Sequence, residues 1–438
     1  MDPILVAVFG VLAGTVAGII PGVGITVTLV ILLPILLSMD VFNLLVFYLS
    51  VAATVQYTGT IPSVFFGVPG ESNSMPASIE GIKFTKKKES MLAISGCALG
   101  SLLGATIAFV LTLFLIKLIS PYIKFFFSSQ TKLYFYILVI AFLIFAFNRG
   151  KFFLNSLLLM IGFVLSMPGE LKYSNEIRFS FGIDDMAYGI PLFPVLIAFV
   201  IVPSLFKKVS DVDTNKKLLI NDTSIKKMVA FFTRHLPSAI RGSMIGYFCG
   251  FVPGVTTILA TGTSYSLEKK INKNYPGKQL IAAESANNSG MLASLLPLMI
   301  LAIPITSSEV ILYGLLVNAG WNPFQILDPG AISKLLTDLA PYYLLINILA
   351  ILAAWPLAKT LTKLLNLSYN NLIKLVFCTL VVITAYLGYL DYRLIFWLIT
   401  LTILSTFGYL LRNYNCVPIV FMFIIGPDLE TIIYRALI

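Results

Sequence analysis

The chain has 438 residues, of which 58% are hydrophobic and only 11% charged, and it carries a formal net charge of +10. Soluble domains run near 45–50% apolar and about 25% charged, so there is too little charged surface here to coat a soluble enzyme. The 33 Phe and 20 Tyr also exclude a disordered chain. The apolar runs are continuous rather than alternating, which excludes an outer-membrane barrel. What remains is an all-α polytopic membrane protein. At roughly 20 apolar residues per crossing, the length allows about ten to thirteen membrane segments. The positive balance then reads as basic cytoplasmic loops, with no call for nucleic acid. The four cysteines (Cys97, Cys249, Cys378, Cys416) show no CxxC spacing, and His235 is the only histidine. Disulfide frameworks and most metal or His-based catalytic schemes are therefore unsupported. Met1-Asp2-Pro3 offers no basic region of the kind that opens a cleavable signal peptide.

In chain order, apolar segments are expected near 4–38, 41–82, 90–120, 132–147, 151–168, 190–206, 241–267, 279–318, 332–363, 369–390, 393–411 and 416–435. Several are too long for one crossing and are cut by Pro and Gly. Such breaks are tolerated at membrane depth only where the backbone is buried in protein or lines a cavity. Three basic clusters fix the cytoplasmic side. They are Lys83 with Lys86–Lys88; Lys207, Lys208, Lys216, Lys217, Lys226, Lys227, Arg234 and Arg241; and Lys269, Lys270, Lys273 and Lys278. The second and third flank segment 241–267. With both in the cytoplasm that segment does not cross, so a re-entrant hairpin turning at Pro253-Gly254 is expected.

Gly18-Ile19-Ile20-Pro21-Gly22-Val23 resembles Gly250-Phe251-Val252-Pro253-Gly254-Val255 at an offset of 232. Pro62 and Pro69 correspond to Pro297 and Pro304 at an offset of 235. Two matches at nearly one offset point to a duplicated half. Charges of corresponding loops oppose each other: 83–88 is basic and 318–323 is not, while 269–278 is basic and 37–46 is not. That pattern fits inverted repeats, which hold substrate and ion sites near the midplane on broken helices. Segment 4–38 is then a re-entrant hairpin opening outside, with the N-terminus outside.

Four broken stretches carry the candidate chemistry. Gly22, Gly24 and Thr26 open a helix whose free N–H groups favour an anion. Thr58, Gly59, Thr60, Gly70, Ser72 and Asn73 offer small polar groups and freed carbonyls. Gly254 and Thr256 repeat the first stretch. Asn287 and Asn288, followed by Thr306 and Ser307, repeat the second. Kinks and local backbone satisfaction are the plainer alternatives, and helix–helix bonding is the plainer alternative for the two amides. Glu71, Glu284 and Glu309 are candidate proton carriers, since an acid at membrane depth is a functional candidate by default; the alternative for Glu284 is a helix cap.

At these residues the chain resembles the large membrane subunit of the tripartite tricarboxylate transporters. The resemblance lies in Gly18 to Gly24, Tyr57 to Gly81, Arg241 to Gly246, Val252 to Gly254, Glu284 to Asn288, Ala302-Ile303-Pro304, and Ile425 to Glu430 with Arg435 to Leu437. It implies a secondary transporter that receives a carboxylate from a periplasmic solute-binding protein. The same resemblance implies a small membrane subunit beside it and a sodium or proton gradient as the drive. Pro21, Gly22, Gly24, Gly59, Pro69, Gly70, Pro253, Gly254, Asn287, Asn288 and Pro304 carry over as its site positions. The chain departs from the family pattern at Thr58 to Thr60, where Gly-Gly-Ser is usual. It departs again at Glu71, Ile305 and Glu309, where small residues are usual. Two acids beside a bound carboxylate repel it unless protonated.

The expectation is thus an inner-membrane, elevator-type secondary transporter for a small organic acid, dicarboxylate- or tricarboxylate-like, with no enzymatic activity and no cofactor beyond Na+ or H+. Its halves, 1–206 and 241–438, are joined by a basic linker at 207–240 with an interfacial helix at 222–238. The alternatives are the same fold re-purposed for a zwitterionic or other solute, and a non-transporting membrane scaffold. A lipid-directed enzyme lacks the catalytic cluster it would need.

Overall fold

The structure is a computed structural model. It describes every residue except 21–22, 68, 120–121, 123–128, 172–173, 175, 207–222, 253–255, 302–303, 322–328, 356–357, 362–368 and 438. Helices dominate it, as the long continuous apolar runs require. α1 (Pro3–Ile19) starts where Asp2 caps the N–H of Ile4 at 2.8 Å and Pro3 fills the first turn. The chain then breaks and restarts at α2 (Gly24–Ile31), with Gly24 at φ +51°. α3 (Val41–Thr58) is capped by Asp40, which accepts from the N–H of Asn43 at 3.0 Å. Burial pushes the Asp40 carboxyl pKa up, but the hydrogen bonds from Asn43 outweigh it and hold the group below its ordinary value. Gly59 separates α3 from α4 (Thr60–Phe66), and Gly67 at φ +71° ends α4 in a left-handed cap. A short 3-10 turn, Ser72–Ser74, leads into α5 (Met75–Lys86) and then α6 (Ser90–Ile119).

Next come α7 (Ser129–Ala146) and α8 (Phe152–Ser166). A two-residue antiparallel ribbon follows, pairing Gly169 with Arg178 and Glu170 with Ile177. An all-α reading did not anticipate this ribbon, which lies in the polar loop between membrane helices. Arg178 reaches from it to Glu430 with both guanidinium nitrogens, each at 2.5 Å. The second half opens with α9 (Ile225–Cys249) and α10 (Thr256–Ile271), then α11 (Pro276–Leu301) and α12 (Ser307–Asn318). The chain finishes with α13 (Pro329–Ala354), α14 (Tyr369–Leu390), α15 (Leu394–Leu410) and α16 (Val417–Leu437). The interfacial helix expected at 222–238 is not a separate element: α9 runs unbroken through Pro237 and across the expected end of the linker.

Among the described residues, four stretches are long and apolar enough to cross a membrane: Val41–Phe66, Ser90–Ile119, Ala331–Ala354 and Val417–Tyr434. Shorter apolar stretches of 10–17 residues accompany them, among them Pro3–Ile19, Phe152–Ser166, Leu192–Ile201 and Leu394–Leu410. Pro and Gly divide what composition alone reads as longer segments.

Packing of the first half on itself repeats in the second. Gly10, Gly14 and Gly18 of α1 lie against α3 at Ser50, at Val51 and Thr54, and at Thr58. Gly242, Gly246 and Gly250 of α9 lie against α11 at Ala282, Ala286 and Gly290. Every glycine, and the contacts at 50, 54 and 58, recur at an offset of 232. Small residues let helix backbones approach closely in membranes, where packing rather than the hydrophobic effect drives association. A Cβ on Gly242 would collide with the backbone oxygen of Ala282. The next long helices then cross over: α6 packs on α9 and α11, and α13 packs on α1 and α3.

Candidate functional site

Two groups of polar residues meet where the broken helices converge. The first surrounds the start of α2. The Glu71 carboxylate accepts from the N–H of Ile25 at 3.1 Å and fills the space beside Gly24 where a Cβ would stand. The positive φ favours glycine there, and any side chain would have to displace the carboxylate. Gly59 and Gly70 meet each other and the carbonyl of Gly18, with 2.9 Å between that oxygen and a Cβ placed on Gly70. Asn73 then donates across the halves to Oδ1 of Asn287 at 2.9 Å.

The second group surrounds the start of α12. Thr306 caps the helix, and Glu309 closes a reciprocal capping box. The Glu309 carboxylate is fully buried. It accepts from Ser294 Oγ at 2.5 Å, from the N–H of Ile305 at 2.9 Å and from that of Thr306 at 3.1 Å. Ser308 links this group to Tyr48 of α3 at 3.2 Å. Ser294 lies two turns beyond Asn287 on the same face of α11, about 10 Å along the axis.

The expected site residues divide accordingly. Gly24, Gly59, Gly70, Glu71, Asn73 and Asn287 are brought together, and Thr306 and Glu309 form the neighbouring group. Thr26 is half-buried on α2, and Ser307 is half-buried at the first position of α12. Thr58 and Thr60 turn their hydroxyls to local carbonyls, Thr54 at 2.9 Å and Tyr57 at 2.8 Å. Ser72 lies in the 3-10 turn, and Thr256 begins α10. Gly22 and Gly254, with the prolines before them, fall outside the described residues. Glu284 sits in the interior of α11, not at a helix end, so it is not a cap.

Burial and bonding single out one part of this region. Glu284 Oε2, Asn287 Nδ2, both amide atoms of Asn288 and Asn73 Oδ1 are buried without a hydrogen-bond partner. Buried polar groups are nearly always paired, and each unpaired one costs about 1–3 kcal/mol. Several together mark a place where something else binds. Gln56 of α3 and Ser101 of α6 also carry buried polar atoms without a hydrogen-bond partner and escaped the sequence reading. Gln56 had a signal: it precedes Asn288 by 232, the repeat offset. Ser101 had none, because a lone serine in a membrane helix ordinarily bonds its own backbone. Among the described residues, Glu71, Glu284 and Glu309 make no ion pair, and no three His, Cys, Asp or Glu side chains group as a metal site.

Residues 4–423 match the sequence profile of the tripartite tricarboxylate transporter TctA family. The chain belongs to that family. It is therefore a subunit of a tripartite transporter, not an enzyme. A 52.8 kDa uncharacterised protein of Agrobacterium vitis, encoded beside ttuC′ in the TAR-I region, is 27% identical over 398 residues, covering 87% of this chain and 76% of its own. An uncharacterised protein of Methanocaldococcus jannaschii is 22% identical over 396 residues, covering 90% and 91% respectively. A second Agrobacterium vitis protein, from the TAR-II ttuC′ region, is 27% identical over 205 residues, covering 44% of this chain and 81% of its own. No solved structure matches.

Proposed function

We propose that this TctA-family subunit is the solute-translocating part of an ion-driven importer in the inner membrane, with its N-terminus outside. On this reading residues 1–206 and 241–438 are inverted repeats joined by the 207–240 segment. The α1–α2 and α9–α10 pairs are re-entrant hairpins, and their broken ends bind the solute in an elevator-type cycle. The observation that carries the reading is the recurrence of the α1–α3 glycine seam in α9–α11 at the offset 232. The hydrogen bond from Asn73 to Asn287 supports it, since it joins the second broken stretch of each half. Substrate and ion ligands are then drawn from Gly22, Gly24, Thr26, Gly59, Gly70, Ser72, Asn73, Gly254, Thr256, Asn287, Asn288, Thr306 and Ser307. Thr58 and Thr60 line the same break through their backbone. Of the three acids, Glu284 is the one free to exchange a cation or proton, because Glu71 and Glu309 already accept backbone N–H groups. The solute is a small organic acid delivered by a periplasmic binding protein, with a small membrane subunit alongside.

A second reading concerns the solute alone. Carboxylates of the protein itself hold the N-termini of α2 and α12, places that would otherwise attract a bound anion. A zwitterion, or an acid carrying fewer charges than a tricarboxylate, fits that arrangement better. The test is uptake in proteoliposomes containing the purified subunit, its small membrane partner and the binding protein. Citrate, a dicarboxylate and an amino acid are offered with an imposed sodium or proton gradient. Gradient-dependent uptake of either acid supports the first reading, and uptake of the amino acid alone supports the second. A chain that moves none of them under any gradient is not the translocating subunit.

A further inference from the structure

The second half repeats the first to the residue along one more pair of helices. α5 (Met75–Lys86) begins and ends 232 positions before α12 (Ser307–Asn318), and α2 begins at Gly24, 232 positions before the start of α10 at Thr256. The packing repeats as well: α10 lies on α5 as α2 lies on α12. α10 also packs on the Ser72–Ser74 turn, which carries Asn73 and its hydrogen bond to Asn287. The α10–α5 pair therefore covers the junction of the two halves. It does so on the basic side, where the two helices run out into Lys86–Lys88 and Lys269-Lys270.

The side chains of the two pairs do not match. Between α10 and α5 the Tyr265 hydroxyl donates to Glu80 Oε1 at 2.8 Å, and Lys83 donates to Glu80 Oε2 at 2.6 Å. Lys269 stands over the Tyr265 ring, 5.4 Å from its centroid, and donates to its hydroxyl at 3.5 Å. Glu80 is 1% exposed. At the repeat offset Glu80 and Lys83 correspond to Leu312 and Leu315, and Tyr265 and Lys269 correspond to Leu33 and Leu37. Leu33, Leu312 and Leu315 are buried in one apolar core, and Leu37 packs against it. One pair is closed by a charged, hydrogen-bonded cluster and the other by leucines.

We infer that Tyr265 and Glu80 form the latch that holds the cytoplasmic side of the junction shut, opposite a leucine seal on the outer side. The two closures open at unequal cost. Water can replace the hydrogen bonds of the latch, so their net worth is small. It offers leucine nothing, and parting the seal wets apolar surface. The cytoplasmic side is thus the more readily opened, which favours release inward. Lys83 and Lys269 are positioning residues, one fixing the carboxylate and the other the phenol. The inference rests on reading the chain as a transporter of two inverted repeats, and it names the residues that make its two sides unequal.

The test reads how far the cytoplasm reaches Ser74, which is 2% exposed in the turn that α10 covers. The full chain carries Ser74→Cys and lacks Cys249 and Cys378; the remaining Cys97 and Cys416 are buried. It is labelled with a membrane-impermeant maleimide in inside-out and right-side-out vesicles. With the latch intact, labelling is slow from both sides. Tyr265→Phe keeps the ring and raises the rate at least about tenfold from the cytoplasmic side alone, the scale of losing a hydrogen bond to a charged group. Glu80→Ala breaks the same bond from the other helix and gives the same one-sided rise. Glu80→Gln keeps an acceptor for the hydroxyl and stays near the parent rate. Tyr57→Phe loses a buried hydrogen bond of the same length, 2.8 Å to Asn347 of α13, and controls for general loosening. Unchanged labelling in Tyr265→Phe and Glu80→Ala overturns the inference, as does an equal rise in Tyr57→Phe or a rise from the outer side. Unchanged labelling beside normal gradient-driven uptake removes the latch and leaves the proposed function standing. A one-sided rise in a protein that takes up no organic acid supports the latch and removes only the proposed solute.

Discussion

Glu71 is the residue whose position says most about selectivity. Its carboxylate lies at the start of α2, on the N–H of Ile25 and against Gly24, so the helix end already holds an anion. A free carboxylate arriving there meets a like charge. At 4 Å and an effective dielectric of 20 that repulsion is about 4 kcal/mol. Glu71→Ala removes the occupant and exposes the N–H groups. We expect citrate affinity, measured by isothermal titration of the purified protein, to rise by at least about tenfold, equivalent to about 1.4 kcal/mol. Unchanged or weaker citrate binding in the variant would show that Glu71 does not guard the site. Glu309 behaves differently. It is tied to its own helix start and to Ser294, and its loss is expected to act on folding before it acts on binding.

At the scale of elements, the glycine seams determine how closely the helices sit. A Cβ on Gly242 meets the Ala282 backbone oxygen, and one on Gly14 comes within 2.9 Å of the Val51 oxygen. Backbone cannot step aside as a flexible side chain can, so the helices must part. Gly242→Ala is expected to destabilise by roughly 1–3 kcal/mol, the usual range for overpacking. Gly262→Ala, where a Cβ meets nothing within 4 Å, is the control. Thermal unfolding in detergent compares them, and equal melting points for the two would mean that the seam tolerates separation. The seams also explain what the sequence disclosed. Pro21-Gly22 and Pro253-Gly254 were visible as matching breaks because Pro and Gly act locally on the chain. Gly10 and Gly14 carry no signal of their own, and Gly242 and Gly246 enter only within the family resemblance, since a glycine every four residues acquires structural meaning only when another helix is laid against it. Ser101 was illegible for the same reason: its missing backbone bond is a property of the fold. Asn287 and Asn288 were readable because two adjacent amides in an apolar segment need partners wherever they lie. The run of α9 across the expected linker boundary was hidden by the charges of Lys226, Lys227 and Arg234, which mark a surface helix face as readily as a loop.

Over the whole molecule, the two halves hold one another. α6 leaves its own half to pack on α9 and α11, and α13 leaves its own to pack on α1 and α3. Neither set of helices covers its seam alone. Residues 1–206 and 223–438 expressed from separate genes are therefore expected to be unstable singly and to co-purify when made together. Pull-down of one tagged half from detergent extracts of cells making both reads this out. A half that purifies alone as a monodisperse species would mean that the exchange of α6 and α13 is not needed to complete either seam.

That mutual dependence has a consequence for biogenesis. The ribosome delivers α1 to α6 long before α9 and α11 exist, so the Gly96, Gly100 and Gly104 face of α6 must wait in the bilayer with lipid or a chaperone against it. The nascent first half is the vulnerable species, open to membrane quality control until its counterpart inserts.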